Sequence, residues 1–280
     1  MKKIIFASLI IVIISLTGLI YWNNERATGF DVWDEENITE GEKIEKEKIE
    51  SITPKEGNEI TLKDYLHYKV LTEDKARVAV IGSSVARGKG ASQPMFSWFN
   101  QLEKQIKSEN VTIANDLSFS NYAKSGYTLN RLLDEGNVDE MINDNPDLII
   151  IETSVVNSYD ENIKMEDTIS AINQTISKVK KELPDSQFIL ISPNPCSVDQ
   201  KGEVENALGY TYQDYREETK SYIESKGWKY VDVYKGMEDK IQANDLELND
   251  TLDDGVHPND LGYRLWFEVM DEYFNKQQEW

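Results

Sequence analysis

The sequence predicts an α/β fold, a three-layer α/β/α sandwich around a mainly parallel central sheet. Three observations carry that expectation. Short, uninterrupted apolar runs recur as "VAVI", "DLIIIET" and "QFILIS", the pattern of strands buried on both faces. Between them lie longer segments whose apolar residues fall at helical spacing. The two kinds alternate along the chain, as βαβ units with helices on both sides of one sheet require.

The elements follow in order. Residues 78–81 read as the first strand and run into Gly82, two serines and a loop with Gly88 and Gly90. "MFSWFNQLEKQIK" reads as a helix with Phe96, Phe99, Leu102 and Ile106 on one face. A second strand falls within 111–123, and "TLNRLLDEGNVDEMI" is partly helical, with Gly136 interrupting it. "DLIIIET" is the central strand. "DTISAINQTISKVKKEL" is a helix ended by Pro184, and "QFILIS" is the fourth strand. "YQDYREETKSYIES" is a helix stopped by Gly227, "KYVDVY" a fifth strand, and "DLGYRLWFEVMDEYF" a closing helix.

The amino-terminal part differs in kind. After Lys2 and Lys3 the run Ile4 to Trp22 carries no charge, and as a helix it is long enough to cross the hydrocarbon core of a bilayer. Lysines before it and acidic residues after it favour an inside amino terminus and an outside body. No A-x-A-like site follows, so an uncleaved membrane anchor over 1–22 is preferred to a cleaved signal peptide. From Asn23 to about Thr72 the chain is acidic and poor in strand alternation, and reads as an extracytoplasmic stalk over 23–72. "EGEKIEKEKIES" can form a solvated helix, with Ile44 and Ile49 as a thin apolar edge. Leu62, Tyr65 and Leu66 fall at helical spacing where folding begins, and the main α/β domain is expected over 73–280.

Composition narrows the function. A net charge of −21 argues against nucleic acid as a partner, since phosphate neutralisation needs clustered lysine and arginine. The one cysteine, Cys196, has no disulfide partner and reads as a small buried hydrophobe. Gly82 and Gly88 enclose five residues where a Walker A loop has four, and Ala86 breaks the G-x-S-x-G elbow. "DTLDDGVHPND" has leucines, Leu252 and Leu261, where a calcium loop needs oxygen ligands. Two separated histidines and one cysteine make no zinc cluster. No cofactor and no metal is called for.

The same segment places Asp254 three residues before His257, one of only two histidines. A turn of that length brings a carboxylate back to the imidazole, fixing its tautomer. A lone D-x-x-H can be an ordinary surface turn. This one sits after the fifth strand and before the last helix, at the carboxyl edge of the sheet that Ser84 shares. The other histidine, His67, reads as a surface or packing residue. Tyr210, Tyr212 and Tyr215 can wall a cleft or fill the core, and Arg87 and Lys89 can face an anionic substrate or solvent.

Taken in order, these residues resemble the SGNH (GDSL-type) hydrolases over roughly Lys75 to Phe274. Gly82-Ser83-Ser84 stands where the family has Gly-Asp-Ser, Gly126 lies in "NYAKSGYT", Asn157 in "ETSVVNS", and Asp254 and His257 match D-x-x-H, followed by "PNDLGY". The resemblance implies the SGNH hydrolase fold with a flavodoxin-like sheet. It also implies Ser84 as nucleophile, His257 as base and Asp254 as its orienting acid. The oxyanion donors it implies are the backbone N–H groups of Ser84 and Gly126 and the side-chain amide of Asn157. Gly126 can otherwise be an ordinary loop glycine and Asn157 a turn residue. Ser83, Val155 and Ser158 depart from the family pattern, and Val155 is expected to add bulk beside the oxyanion site. The implied function is an extracytoplasmic serine esterase, lipase-like, acting on small-molecule, glycan or lipid esters. An O-acyltransferase on cell-surface glycans and a non-catalytic glycan-binding module are the alternatives.

Overall fold

The computed structural model describes residues 35–197 and 204–280. The expected anchor over 1–22 lies outside them, and among the described residues no helix is long and apolar enough to cross a membrane. Helix α1 (Glu35–Ser51) contains the charged "EGEKIEKEKIES" stretch, and Ile44 on it is 61% exposed. It belongs to a unit ending at Glu50, whereas Ser51–Trp280 form the other compact unit.

That second unit starts earlier than residue 73. Ile52 is buried, β1 (Glu59–Ile60) follows, and α2 (Leu62–Glu73) buries Leu62, Tyr65 and Leu66. Thr61 caps α2, its hydroxyl accepting the Asp64 N–H while the Asp64 carboxylate accepts the Thr61 N–H, each at 3.0 Å. Leu62, Tyr65 and Leu66 thus begin the folded part as their helical spacing predicts, and the compact unit reaches back past the expected 72/73 boundary to Ser51. His67 on α2 is buried, with its Nδ1 3.1 Å from the Asn110 side-chain amide, so it is a packing histidine.

The sheet follows. β2 (Ala76–Ile81) leads into a one-turn helix α3 (Ser84–Arg87), where the sequence suggested only loop. A 3₁₀ turn (Pro94–Phe96) precedes α4 (Trp98–Glu109), and then come β3 (Leu117–Asn121), α5 (Leu129–Asp134) and α6 (Asn137–Asn143). Gly136, with φ 78°, makes the break between α5 and α6. β4 (Leu148–Glu152), α7 (Val155–Asp160), α8 (Met165–Glu182) and β5 (Gln187–Ile191) continue the alternation. The carboxyl-terminal part holds α9 (Tyr212–Ser225), β6 (Tyr230–Val231), α10 (Val233–Ala243), α11 (Asp260–Asn275) and β7 (Gln278–Glu279). The fifth strand is thus shorter than "KYVDVY". Asp232 caps α10 by accepting the Lys235 N–H, so the chain turns helical at Val233 and buries Val233, Met237 and Ile241 along one stripe.

The five main strands are parallel and ordered β3-β2-β4-β5-β6. The inner strands β2, β4 and β5 alternate between two cores. Val78, Val80, Leu148, Ile150 and Ile189 face the layer of α2, α4, α10 and α11. Ala79, Ile81, Ile149, Ile151 and Leu190 face α5, α6 and α8. Trp98 on α4 stacks on Trp266 of α11 with centroids 5.4 Å apart, a contact worth about 0.5–1.5 kcal/mol beyond area burial. The connections from β2 to β3 and from β4 to β5 run in opposite directions, so the order switches between β2 and β4 and opens a crevice at their carboxyl ends. Ser84 and Glu152 lie at that crevice.

Candidate active site

Three strand ends and one loop build the site. After β2, Gly82 and Ser83 turn the chain so that Ser84 opens α3, and Gly88, at φ 91°, closes the turn. Ser84 is 5% exposed, and its carbonyl accepts the Lys89 N–H at 3.0 Å. After β3, the Lys124 N–H donates to the Gly82 carbonyl at 3.0 Å, tying the second loop to the first. Gly126 lies just beyond, with φ 76° and open space where a Cβ would stand. After β4, Ser154 takes φ 56° and its carbonyl accepts the N–H of Asn157 at 3.1 Å. The Asn157 side chain then donates to the Tyr127 carbonyl at 2.8 Å. The loops bearing Ser84, Gly126 and Asn157 are therefore tied one to the next.

The fourth part lies between a 3₁₀ turn (Leu248–Thr251) and α11. An isolated bridge pairs Leu252 with Pro258, and the Asp253 N–H donates to the His257 carbonyl at 2.8 Å. Inside this tight turn the Asp254 carboxylate accepts the backbone N–H groups of Val256 (3.1 Å) and His257 (2.9 Å). His257 Nδ1 lies 2.8 Å from Asp254 Oδ2, and its Nε2 lies 2.8 Å from Ser84 Oγ. Burial works to raise the Asp254 carboxyl, but the hydrogen bonds from His257 and Val256 outweigh it and hold it at about 2. An ionised carboxylate only accepts, so Nδ1 carries the proton and Nε2 is left to accept from the Ser84 hydroxyl.

Neighbouring residues hold this loop in place. Asn194, 2% exposed, donates its side-chain amide to the Val256 carbonyl at 2.9 Å. The Ser197 N–H donates to the Gly255 carbonyl at 2.7 Å. Gly90 packs so closely that a Cβ there would meet the Pro258 carbonyl at 2.4 Å and His257 Cβ at 3.0 Å. The buried Tyr263 hydroxyl donates to the Lys89 carbonyl at 2.6 Å, fixing the same segment from α11. Glu152, Asn194 and Gly90 carry no motif, whereas Tyr263 closes the "PNDLGY" that follows His257. The signal available for Glu152 was an acid ending an otherwise apolar strand.

The remaining expectations resolve by burial. Tyr212 and Tyr215 are 2% and 0% exposed and pack with Val155, Val156, Met165, Cys196 and Tyr234, so they fill core. Tyr210 is partly buried against them. Val155 is fully buried in that cluster. Arg87 and Lys89 are exposed.

The GDSL-like lipase/acylhydrolase family matches residues 80–265, well over half of the chain. The chain belongs to that family. It is a carboxylic ester hydrolase of the serine class. Solved structures share its fold. A member of the lipolytic G-D-S-L family from Veillonella parvula aligns at 17% identity with TM-score 0.56, over 71% of this chain and 98% of that one. A two-domain esterase active on acetylated mannans aligns at 18% identity and TM-score 0.57, over 75% of this chain and 52% of that one. An acetyl xylan esterase aligns at 16% identity and TM-score 0.55, over 70% of this chain and 98% of that one. No curated protein matches the chain.

Proposed function

We propose that the protein is a membrane-anchored extracytoplasmic esterase that removes O-acyl groups from cell-surface glycans through an acyl-enzyme. The hydrogen-bonded line from Asp254 through His257 to Ser84 carries the reading. Ser84 Oγ attacks the ester carbonyl carbon while its proton passes to His257 Nε2. The negative charge that develops on the carbonyl oxygen is met by the N–H groups of Ser84 and Gly126 and by the Asn157 amide. Asn157 uses one of its two amide hydrogens on Tyr127, which aims the other. Collapse of the intermediate expels the alcohol, which takes its proton from His257. Water, deprotonated by His257, then releases the acid and restores Ser84. Asp254 stays ionised and stabilises the imidazolium at each step.

The anchor rests on the charge-free run Ile4 to Trp22 behind Lys2 and Lys3. The glycan class rests on that location and on the acetylated polysaccharides named for two similar structures. Full-length protein is expected to release acetate from acetylated xylan or mannan oligosaccharides, and Ser84→Ala to release none. Release from lipid esters alone would overturn the glycan class, and acyl transfer to an added glycan hydroxyl in preference to water would make the protein a transferase. The chain is expected to stay in the membrane fraction after a high-salt wash. A mature form beginning near Asn23 in the medium would overturn the anchor.

A further inference from the structure

Glu152 is fully buried, and the mechanism above gives it no part. It ends β4, beside Ile81 and Gly82 at the end of β2, and its carboxylate is used by backbone on both sides. Oε2 accepts the Ser83 N–H at 2.7 Å, and Oε1 accepts the Ser154 N–H at 2.7 Å. The Ser154 hydroxyl adds a longer contact of 3.4 Å. Each amide lies one short step from the chemistry. Ser83 precedes Ser84. Ser154 sits at φ 56°, an unusual conformation for a residue with a side chain, and its carbonyl receives the N–H of Asn157. Room for the carboxylate comes from Gly82, where a Cβ would lie 2.7 Å from both Glu152 Cβ and Oε2.

Burying a carboxyl is costly, and burial pushes this one up despite the two backbone amides that pull it down. No ion pair to it occurs among the described residues. An apolar residue would satisfy the strand as Ile151 does, but would leave two buried N–H groups without acceptors. We propose that Glu152 is a positioning residue: its carboxylate bridges the nucleophile turn to the Asn157 turn and holds Ser84 and the oxyanion donor in one register. This rests on the acyl-enzyme reading of Ser84.

Glu152→Gln keeps the shape and replaces one acceptor by an amide donor, so one of the two N–H groups faces another N–H. A misplacement of this kind is expected to lower kcat by about tenfold to a hundredfold. KM should stay within about twofold, because the charge on the ester oxygen exists only in the transition state. The amide proton of Ser83 or Ser154 should move upfield in the variant, and both should be strongly protected from exchange in the wild-type protein. That wild-type measurement decides the bridge even if the variant does not fold. Unprotected Ser83 and Ser154 amides, or a folded variant with wild-type kcat, would overturn the proposal. A wild-type protein that hydrolyses no ester and takes no fluorophosphonate at Ser84 would overturn the acyl-enzyme reading itself. Protected amides would then still establish the bridge as structure.

Discussion

The two sides of the site are built from different materials. Ser84 and Glu152 are 5% and 0% exposed, and their surroundings are backbone amides and carbonyls at adjacent strand ends. The Asp254 side chain is 45% exposed, and its loop is held by groups from elsewhere: Asn194, Ser197 and the close approach of Gly90. The nucleophile therefore takes its position from the register of the sheet, which core burial on both faces fixes strongly. The base takes its position from a tight turn with local clamps. Changes on the first side should act through the reacting atoms and the sheet together. Changes on the second can loosen the base while the fold stays intact.

The sharpest break comes from the two groups that meet across the divide. Ser84→Ala and His257→Ala should each lower kcat by roughly 10⁶, and the double variant should be scarcely worse, because the pair acts as one unit. Steady-state hydrolysis of a chromogenic ester measures this. Wild-type turnover surviving in Ser84→Ala would remove the serine mechanism. Asp254→Asn tests the base side alone. It leaves nucleophile and imidazole in place but favours the wrong tautomer, and should lower kcat by about 10⁴ with little change in folding.

Asn157→Ala tests the sheet side without touching the nucleophile. It removes one oxyanion donor, and kcat should fall by roughly 10²–10³ with KM almost unchanged. A rise in KM at constant kcat would instead make Asn157 a contact to bound substrate.

The same division explains what could be read from sequence. The sheet side was legible because its parts have strong local signals: "VAVIG" and "DLIIIE" are unbroken apolar runs that mark strand ends. Ser84 and His257 were legible through rarity and order, since the chain has only two histidines. The clamps were not, because Asn194 and Ser197 act on a loop some sixty residues away and polar loop residues carry no period. Helix α10 was missed for another reason. Its first residues, Val233 and Tyr234, continue the apolar look of β6, although Val233, Met237 and Ile241 recur every fourth residue. The lower edge of the domain was misplaced because β1 has only two residues and its partner β7 lies at the other end of the chain.

Asn194→Ala sharpens the contrast further. The variant leaves the Val256 carbonyl without its buried donor, which costs about 1–3 kcal/mol locally. Its kcat should fall by about tenfold as His257 loses part of its orientation. Activity equal to wild type with lowered thermal stability would show that the loop needs no clamp to place its base.

The smallest effect concerns acid. The Asp254 carboxyl falls from its ordinary 3.8 to about 2, so the folded state binds that proton more weakly than the unfolded chain does. The stabilisation is then complete above about pH 4 and is lost as pH falls through about 2. Because the side chain is 45% exposed, solvent screens it, and less than about 1 kcal/mol is expected. Thermal unfolding of wild type and Asp254→Asn across this range reads the effect directly. Their melting temperatures should keep a constant gap from pH 7 to 5, and the gap should close between pH 4 and 2. The Ser84 turn has the opposite sign: burial pushes the Glu152 carboxyl up, so the folded state holds that proton more tightly than the unfolded chain and acid does not weaken the fold there. A gap that stays open at pH 2 would mean that Asp254 supports the loop through shape and not through its charge.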